Sequence, residues 1–327
     1  MKPILRVVLL CAALHSPAWA AAFDLQGHRG ARGLMPENTL PAFALALSLG
    51  VTTLEMDIAI TQDGHLVVSH DPVLNPNIVR GPDGKYVTTG QAINTLTLAQ
   101  VRSLDVGRIQ PGSRYAASFA QQQAVDGTRM PLLTEVFALV KKAGNTQVRF
   151  DIETKISPLK PFETLPPAEF ARALIAVIRG SGMATRATIQ SFDWRSLQVV
   201  QKEAPEIPTV YLTAQQPFLD NVGAASPEPS LWTAGFRYAE HGSVPKLIHA
   251  AGGRIWAPYF GDLDAMQLAQ AKALGLTVVP WTVNTPADMT RLMDMGVDGL
   301  ISDRPDLVRE EMKRRGMPLP LATPASP

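Results

Sequence analysis

A chain of 327 residues, 46% hydrophobic and 18% charged, can bury a sizeable core and is long enough for one large α/β barrel or two smaller domains. Its formal net charge of +1 offers no bulk attraction for nucleic acid or an anionic membrane surface. The single cysteine, Cys11, lies close to the N-terminus, which excludes cysteine catalysis and thiolate zinc sites from the rest of the chain.

Lys2 and Arg6 flank the apolar run Val7 to Leu14, which is too short to span a bilayer, and Ala18-Trp19-Ala20 supplies a small-residue cleavage site. Residues 1–20 are therefore expected to be a secretory signal peptide, delivering a periplasmic protein with no stable membrane insertion. Removing Lys2 and Arg6 takes the net charge from +1 to −1.

Short β-like runs then alternate with helical segments. Strands are predicted at Phe23–His28, Thr52–Asp57, Val148–Glu153, Ala187–Phe192, Thr209–Leu212, Arg254–Pro258, Thr277–Thr282 and Gly299–Ser302. Helices are predicted at Asn38–Leu49, Ala168–Arg179, Trp194–Glu203, Val244–Ala251, Leu263–Leu274 and Pro286–Met295, several followed by a terminating glycine. This alternation predicts a (β/α)8 TIM barrel over about residues 23–315. A doubly wound open sheet is the rival, but the chain has no Gly-x-Gly-x-x-Gly fingerprint.

Two segments depart from the rhythm. Asp63-Gly64, between Ile58-Ala59-Ile60 and His65 to His70, reads as a hairpin turn that folds His70 back beside Met56 and Asp57. Residues of about 72–131 are rich in turn clusters and carry the capping-box pattern Thr97-Leu98-Ala99-Gln100, which predicts a small inserted subdomain over the barrel mouth. Residues 316–327, rich in proline and small side chains, are expected to form a flexible tail.

The chemistry-bearing residues fall at or just past predicted strand ends, the face on which barrel enzymes build their sites. Gly27-His28-Arg29-Gly30 pins a histidine and an arginine in a tight loop, followed by Pro36-Glu37-Asn38-Thr39. Glu55 and Asp57 share one strand face, as do Glu153 and Lys155. Clustered carboxylates without thiols suit Ca²⁺ or Mg²⁺. Together with His28 and His70 for proton transfer, and Arg29 and Lys155 for phosphate oxygens, they make a phosphoryl-transfer set.

His-Arg-Gly, Pro-Glu-Asn-Thr, Glu-x-Asp, His-Asp and Glu-x-Lys, in this order, resemble the glycerophosphodiester phosphodiesterases, metal-dependent barrel enzymes of the phospholipase C-like group. The resemblance runs from about Gly27 to Pro305. It takes in Gln190-Ser191-Phe192, Trp281-Thr282-Val283-Asn284 and Val297 to Pro305, where Ser302 stands in place of a frequent threonine. It implies hydrolysis of glycerophosphodiesters to sn-glycerol 3-phosphate and an alcohol, with a small-molecule substrate and a divalent cation, Ca²⁺ or Mg²⁺. On matching positions it implies that Glu55, Asp57 and Glu153 ligate the cation and that His28 and His70 are the acid/base pair. Arg29 and Lys155 would contact phosphate, Trp281 would wall the pocket beside the glycerol, and Glu37 would orient Arg29 or join the metal shell. Asn38 is expected to cap the following helix. The run Pro72 to Arg80 departs from the family's usual pattern after His-Asp, which bears on head-group preference.

Two other readings are open. A lysophospholipase D or sphingomyelinase D-like enzyme would show an apolar rim in the 72–131 insert, and a binding-only module would lack one of the histidines or carboxylates. His65 is expected to be an exposed turn neighbour, and His241 and His249 to be structural.

Overall fold

The structure, a computed structural model, describes residues 23–226 and 228–327; the expected signal peptide and Cys11 lie outside them. Eight parallel strands form the barrel: β1 (Asp24–Gly27), β2 (Thr53–Ile60), β4 (Arg149–Thr154), β5 (Ala187–Ser191), β6 (Thr209–Thr213), β9 (Ile255–Pro258), β10 (Thr277–Val278) and β11 (Gly299–Ser302). β3 (Leu66–Val68) is the antiparallel return of the hairpin, and β7 (Gln215–Gln216) with β8 (Leu219–Asp220) makes a small ribbon beyond β6. Strand pairing runs β10-β9-β6-β5-β4-β2-β1-β11. The ring closes where Asp298 N–H donates to the Val278 carbonyl at 2.9 Å and Val283 N–H to the Ile301 carbonyl at 2.9 Å.

All eight expected strands are present. The seventh is shorter than the run Thr277–Thr282, because Pro280 has no N–H to give the ladder. The helices are α1 (Leu40–Leu49), α2 (Leu98–Ser103), α3 (Arg114–Ser118), α4 (Leu133–Lys142), α5 (Pro167–Gly180), α6 (Trp194–Glu203), α7 (Tyr238–His241), α8 (Val244–Ala250), α9 (Ala265–Ala273), α10 (Pro286–Met295) and α11 (Pro305–Arg314).

β2 shows why the barrel strands are buried on both faces. Leu54, Met56 and Ile58 pack outward with Phe43, Phe137 and Phe150 in the main core. The alternate residues Thr53, Glu55 and Asp57 point into the barrel, where they are also buried. The barrel interior is divided. Val210, Leu212, Ala257, Val279 and Ile301 make an apolar cluster on one side. The side formed by β1, β2, β4 and β5 carries buried carboxylates and amides.

The hairpin adopts the expected register. Ile58 pairs with Val68, so Ser69 falls opposite Asp57, and its N–H donates to the Asp57 carbonyl at 3.0 Å. The insert has a core of its own, including Leu74, Val79, Ile93, Val101, Leu104 and Met130, packed on Ala59 and Val67. Its helix α2 starts with the expected capping box between Thr97 and Gln100. Residues 316–327 are laid against the barrel here. Thr323 N–H donates to the Leu47 carbonyl at 2.8 Å and Asn145 Nδ2 to Thr323 Oγ1 at 2.9 Å.

The first loop depends on both of its glycines. Gly30 N–H donates back to the Gly27 carbonyl at 3.1 Å, and Arg29 sits at φ +49°. A Cβ on Gly30 would lie 2.8 Å from the Ala42 carbonyl carbon, at a φ of +86°. Gly30→Ala combines backbone strain with a clash against a helix. It should destabilise the protein by about 2–4 kcal/mol, read as a lowered urea midpoint at unchanged m-value.

Candidate active site

Register brings the acidic residues together: Asp57 pairs with Glu153 across β2 and β4, and Glu55 lies one inward position below Asp57. Ligand-capable oxygens of Glu55, Asp57 and Glu153 all lie within 4.8 Å of one another. The exposures of these three side chains are 1%, 1% and 7%. Asp151, the other acid of the repeated pattern, sits deeper, where Thr188 Oγ1 donates to it at 2.7 Å.

Burial pushes the proton affinity of Glu153 up, to a pKa of about 7, with Asp57 adding to the effect. Burial and the Asp57 charge push Glu55 up in the same direction. Burial acts upward on Asp57 too, but His70, Lys155 and Arg29 overrule it and hold that carboxyl well below its usual range. Asp57 Oδ1 is buried with no hydrogen-bond donor in reach, Lys155 Nζ standing at 3.6 Å. Three mutually repelling carboxylates with an open oxygen fit a hard divalent cation.

Two histidines adjoin this triad. His28, at the end of β1, gives its Nδ1–H to Asp303 Oδ1 at 2.6 Å, while Nε2 faces Glu55 Oε2 at 3.9 Å. His70, at the end of the hairpin, gives Nδ1–H to Asp71 at 2.9 Å, and its Nε2 accepts from Lys155 Nζ at 3.0 Å. Each ring is thus oriented by a carboxylate with Nε2 directed inward. Burial, reinforced by Arg32, lowers the His28 pKa to about 4. Burial followed by the Arg29 and Lys155 charges moves His70 in the same direction.

The cations are also fixed. Arg29 donates from Nη1 to Glu37 at 2.6 Å and from its backbone N–H to Glu55 at 2.7 Å. Lys155 donates to Glu153 at 2.8 Å. Trp281 gives its Nε1–H to the Ala257 carbonyl at 2.9 Å and packs edge-to-face on Phe192 and Tyr259, with centroids 5.3 and 5.5 Å away.

Every candidate site residue named from the sequence therefore lines one end of the barrel. Glu37 holds Arg29 and stands outside the carboxylate triad. Asn38 does not cap α1: Thr39 does, its Oγ1 accepting from Ala42 N–H at 3.3 Å. Asn38, at φ +56°, turns inward instead and gives its amide to Asp57 at 2.9 Å. His65 is exposed, as expected.

Several supporting residues had no assigned role. Asp303 is gripped by Arg32 (2.7 and 2.9 Å) and Asn284 (2.6 Å) in addition to His28. Gln190 donates to Glu55 at 2.8 Å, Asn75 donates to Asp71 at 2.7 Å, and Tyr115 from the insert donates to Glu37. Asp71, Gln190, Asn284 and Asp303 all lie inside the motifs that carry the resemblance, so position marked them without revealing what they touch.

The profile of the glycerophosphoryl diester phosphodiesterase family matches residues 28–307. The chain belongs to that family. A glycerophosphodiester phosphodiesterase of Caldanaerobacter subterraneus subsp. tengcongensis is 29% identical over 290 residues, covering 88% of this chain and 97% of that protein. A Silicibacter pomeroyi protein named for the same family superposes with a TM-score of 0.81 at 33% identity, covering 91% of this chain and 95% of that one. An Oleispira antarctica phosphodiesterase, solved in complex with its product sn-glycerol-3-phosphate, shares the fold at 21% identity and a TM-score of 0.62, over 89% and 96% of the two chains. Among the described residues no helix is long and apolar enough to cross a membrane.

Proposed function

We propose that this family member hydrolyses glycerophosphodiesters to sn-glycerol 3-phosphate and an alcohol, in a divalent-cation-dependent reaction with His28 and His70 as acid and base. The observation that carries the reading is the pair of carboxylate-anchored imidazoles that reach one buried acidic triad, His28 toward Glu55 at 3.9 Å and His70 through Lys155, which donates to Glu153. Glu55, Asp57 and Glu153 would hold the cation, Ca²⁺ or Mg²⁺, which would supply Lewis-acid charge to the phosphoryl group.

The chain's own residues do the rest. Arg29 and Lys155 hold phosphate oxygens as fixed donors, and Glu37 keeps Arg29 aimed. One Nε2 takes the proton of the attacking oxygen as its bond to phosphorus forms. The other histidine, protonated at Nε2 once the anionic phosphate is bound beside it, gives its own proton to the departing alkoxide as the second phosphorus–oxygen bond breaks. Asp303 and Asp71 favour the required tautomers and stabilise the imidazolium that forms. Trp281, backed by Phe192, offers an apolar wall for the glycerol carbons. The leader at residues 1–20 would place the reaction in the periplasm.

A lysophospholipase D-like specificity calls for an apolar rim in the insert. Among the described residues, none of the exposed large hydrophobic side chains falls between 72 and 131, so the insert itself supplies no such rim; the exposed Phe162 and Phe218 lie in other loops. The test is release of sn-glycerol 3-phosphate from a panel of glycerophosphodiesters, with and without chelator. Turnover should vanish with chelator and return with Ca²⁺ or Mg²⁺; chelator-resistant turnover would contradict the cation's role.

A further inference from the structure

Arg29 is the candidate phosphate ligand, and its geometry depends on a segment distant in the chain. We propose that Tyr115, delivered across the barrel mouth by the insert, is a positioning residue for phosphate binding, fixing Glu37 so that Glu37 fixes the Arg29 guanidinium. The inference rests on the role given to Arg29 above and assigns the insert a part in the site.

The two oxygens of Glu37 are used separately. Oε1 accepts from Arg29 Nη1 at 2.6 Å, and Oε2 accepts from the Tyr115 hydroxyl. Both members of the ion pair are buried, Glu37 at 5% exposure and Arg29 at 7%. Arg29 Nε lies 3.4 Å from Asp57 Oδ2 without forming a hydrogen bond. The guanidinium is therefore suspended between the triad and Glu37. A carboxylate free to rotate would let it fall toward Asp57 and Glu55, where its charge would compete with the cation rather than reach a phosphate. A second donor on Glu37 opposes that rotation.

Tyr115 is itself well placed. Its ring meets Phe119 edge-to-face at 5.0 Å, and Phe119 lies under the Arg32 guanidinium at 4.6 Å. Arg32 is the residue that clamps Asp303, the anchor of His28. The same segment is stitched to the first loop where Gln123 N–H donates to the Leu34 carbonyl at 2.9 Å and Gln122 Nε2 to the Arg32 carbonyl at 2.8 Å. Burial and the Glu37 charge both raise the phenol's proton affinity, so it remains a donor throughout the neutral range. One short helix of the insert thus braces the phosphate arm directly and lies against the histidine arm.

Tyr115→Phe removes the hydroxyl and keeps the ring, so packing on Phe119 survives. The test compares wild type, Y115F, Glu37→Gln and the double variant by thermal melt, by calorimetric binding of inorganic phosphate, and by steady-state turnover of sn-glycero-3-phosphocholine. Loss of one hydrogen bond to a buried charge should weaken phosphate binding by about tenfold and lower kcat/KM similarly, chiefly through KM, with the melting temperature lowered by only a few degrees. E37Q should show at least the same loss, and adding Y115F to it should cost less than about twofold more, since both act through one carboxylate. Wild-type phosphate affinity in Y115F, or losses that simply add in the double variant, would overturn the proposal. So would a lowered melting temperature with KM unmoved, the mark of a purely structural role. If wild type turns over no glycerophosphodiester while Y115F still loses phosphate affinity in the calorimeter, the functional reading falls and the positioning role stands.

Discussion

His28→Ala and His70→Ala should each lower kcat on a glycerophosphodiester by about 10³-fold while the barrel still folds. The stability half of this expectation follows from what each imidazole leaves behind. Without His28, Asp303 retains Arg32 at 2.7 and 2.9 Å and Asn284 at 2.6 Å, so no buried charge is stranded. Without His70, Asp71 retains Asn75 at 2.7 Å, and the position is already partly open to solvent. The catalytic half follows from Nε2, which faces Glu55 in His28 and meets Lys155 in His70, and which has no substitute within either loop. Asp303→Asn offers a finer probe. It keeps the shape but no longer enforces the tautomer that leaves Nε2 free, so kcat should fall by at least about 10²-fold. A substrate with a p-nitrophenyl leaving group separates the two roles, because a good leaving group does not need a proton. The variant that recovers on it marks the acid, and the one that stays inactive marks the base. Either alanine variant retaining near-wild-type kcat would remove that histidine from the mechanism.

The parts of this site that could be read from the sequence are those set by local geometry. The period of two on β2 and β4 put Glu55 with Asp57 and Glu153 with Lys155 on inward faces, and parallel register then joined the two pairs. His70 could be placed because an Asp-Gly turn fixes hairpin register, and a slip of one residue would have turned Leu66 and Val68 out of the core. What local geometry does not set is the outer shell. His28 and Asp303 are 275 residues apart and meet only because β1 and β11 are adjacent when the barrel closes. Tyr115 reaches Glu37 across 78 residues from an insert with no strand rhythm to place it. Asn38 illustrates a different limit. Asparagine and threonine both cap helices well, so Asn38-Thr39 does not reveal which one caps and which is free to turn toward Asp57. Helix α4 was equally inconspicuous, since Leu132 precedes it where a polar cap would normally flag a start, and Glu135 reaches back to the Leu132 N–H instead.

Glu153→Gln is expected to lower activity and, in the metal-free protein at pH 8, to raise stability. The activity term is the larger. Losing one of three cation ligands removes several kcal/mol of charge stabilisation at the phosphoryl group, a fall of about 10³-fold or more in kcat. The stability term comes from the sign of the pKa shift. Glu153 titrates near 7 in the fold against 4.5 for the ordinary side chain, chiefly because it is buried and then because Asp57 is beside it. Between those values the folded chain holds a proton that the unfolded chain has lost, so this group's contribution to stability declines as pH rises through about 7. Glutamine stays neutral and escapes the decline. Ca²⁺ or Mg²⁺ should abolish it in the wild type, because a cation bound only by the fold stabilises it by mass action and favours the ionised triad. His28 contributes a slope of the opposite sign, its pKa being lowered to about 4, but it is common to both proteins and cancels in the comparison. Melting curves from pH 5 to 8, with chelator and with added cation, should therefore show wild type and E153Q diverging at high pH only in chelator. An E153Q protein that keeps cation-dependent turnover, or a wild type whose melting temperature ignores the cation at pH 8, would mean that the triad serves the barrel rather than the phosphate.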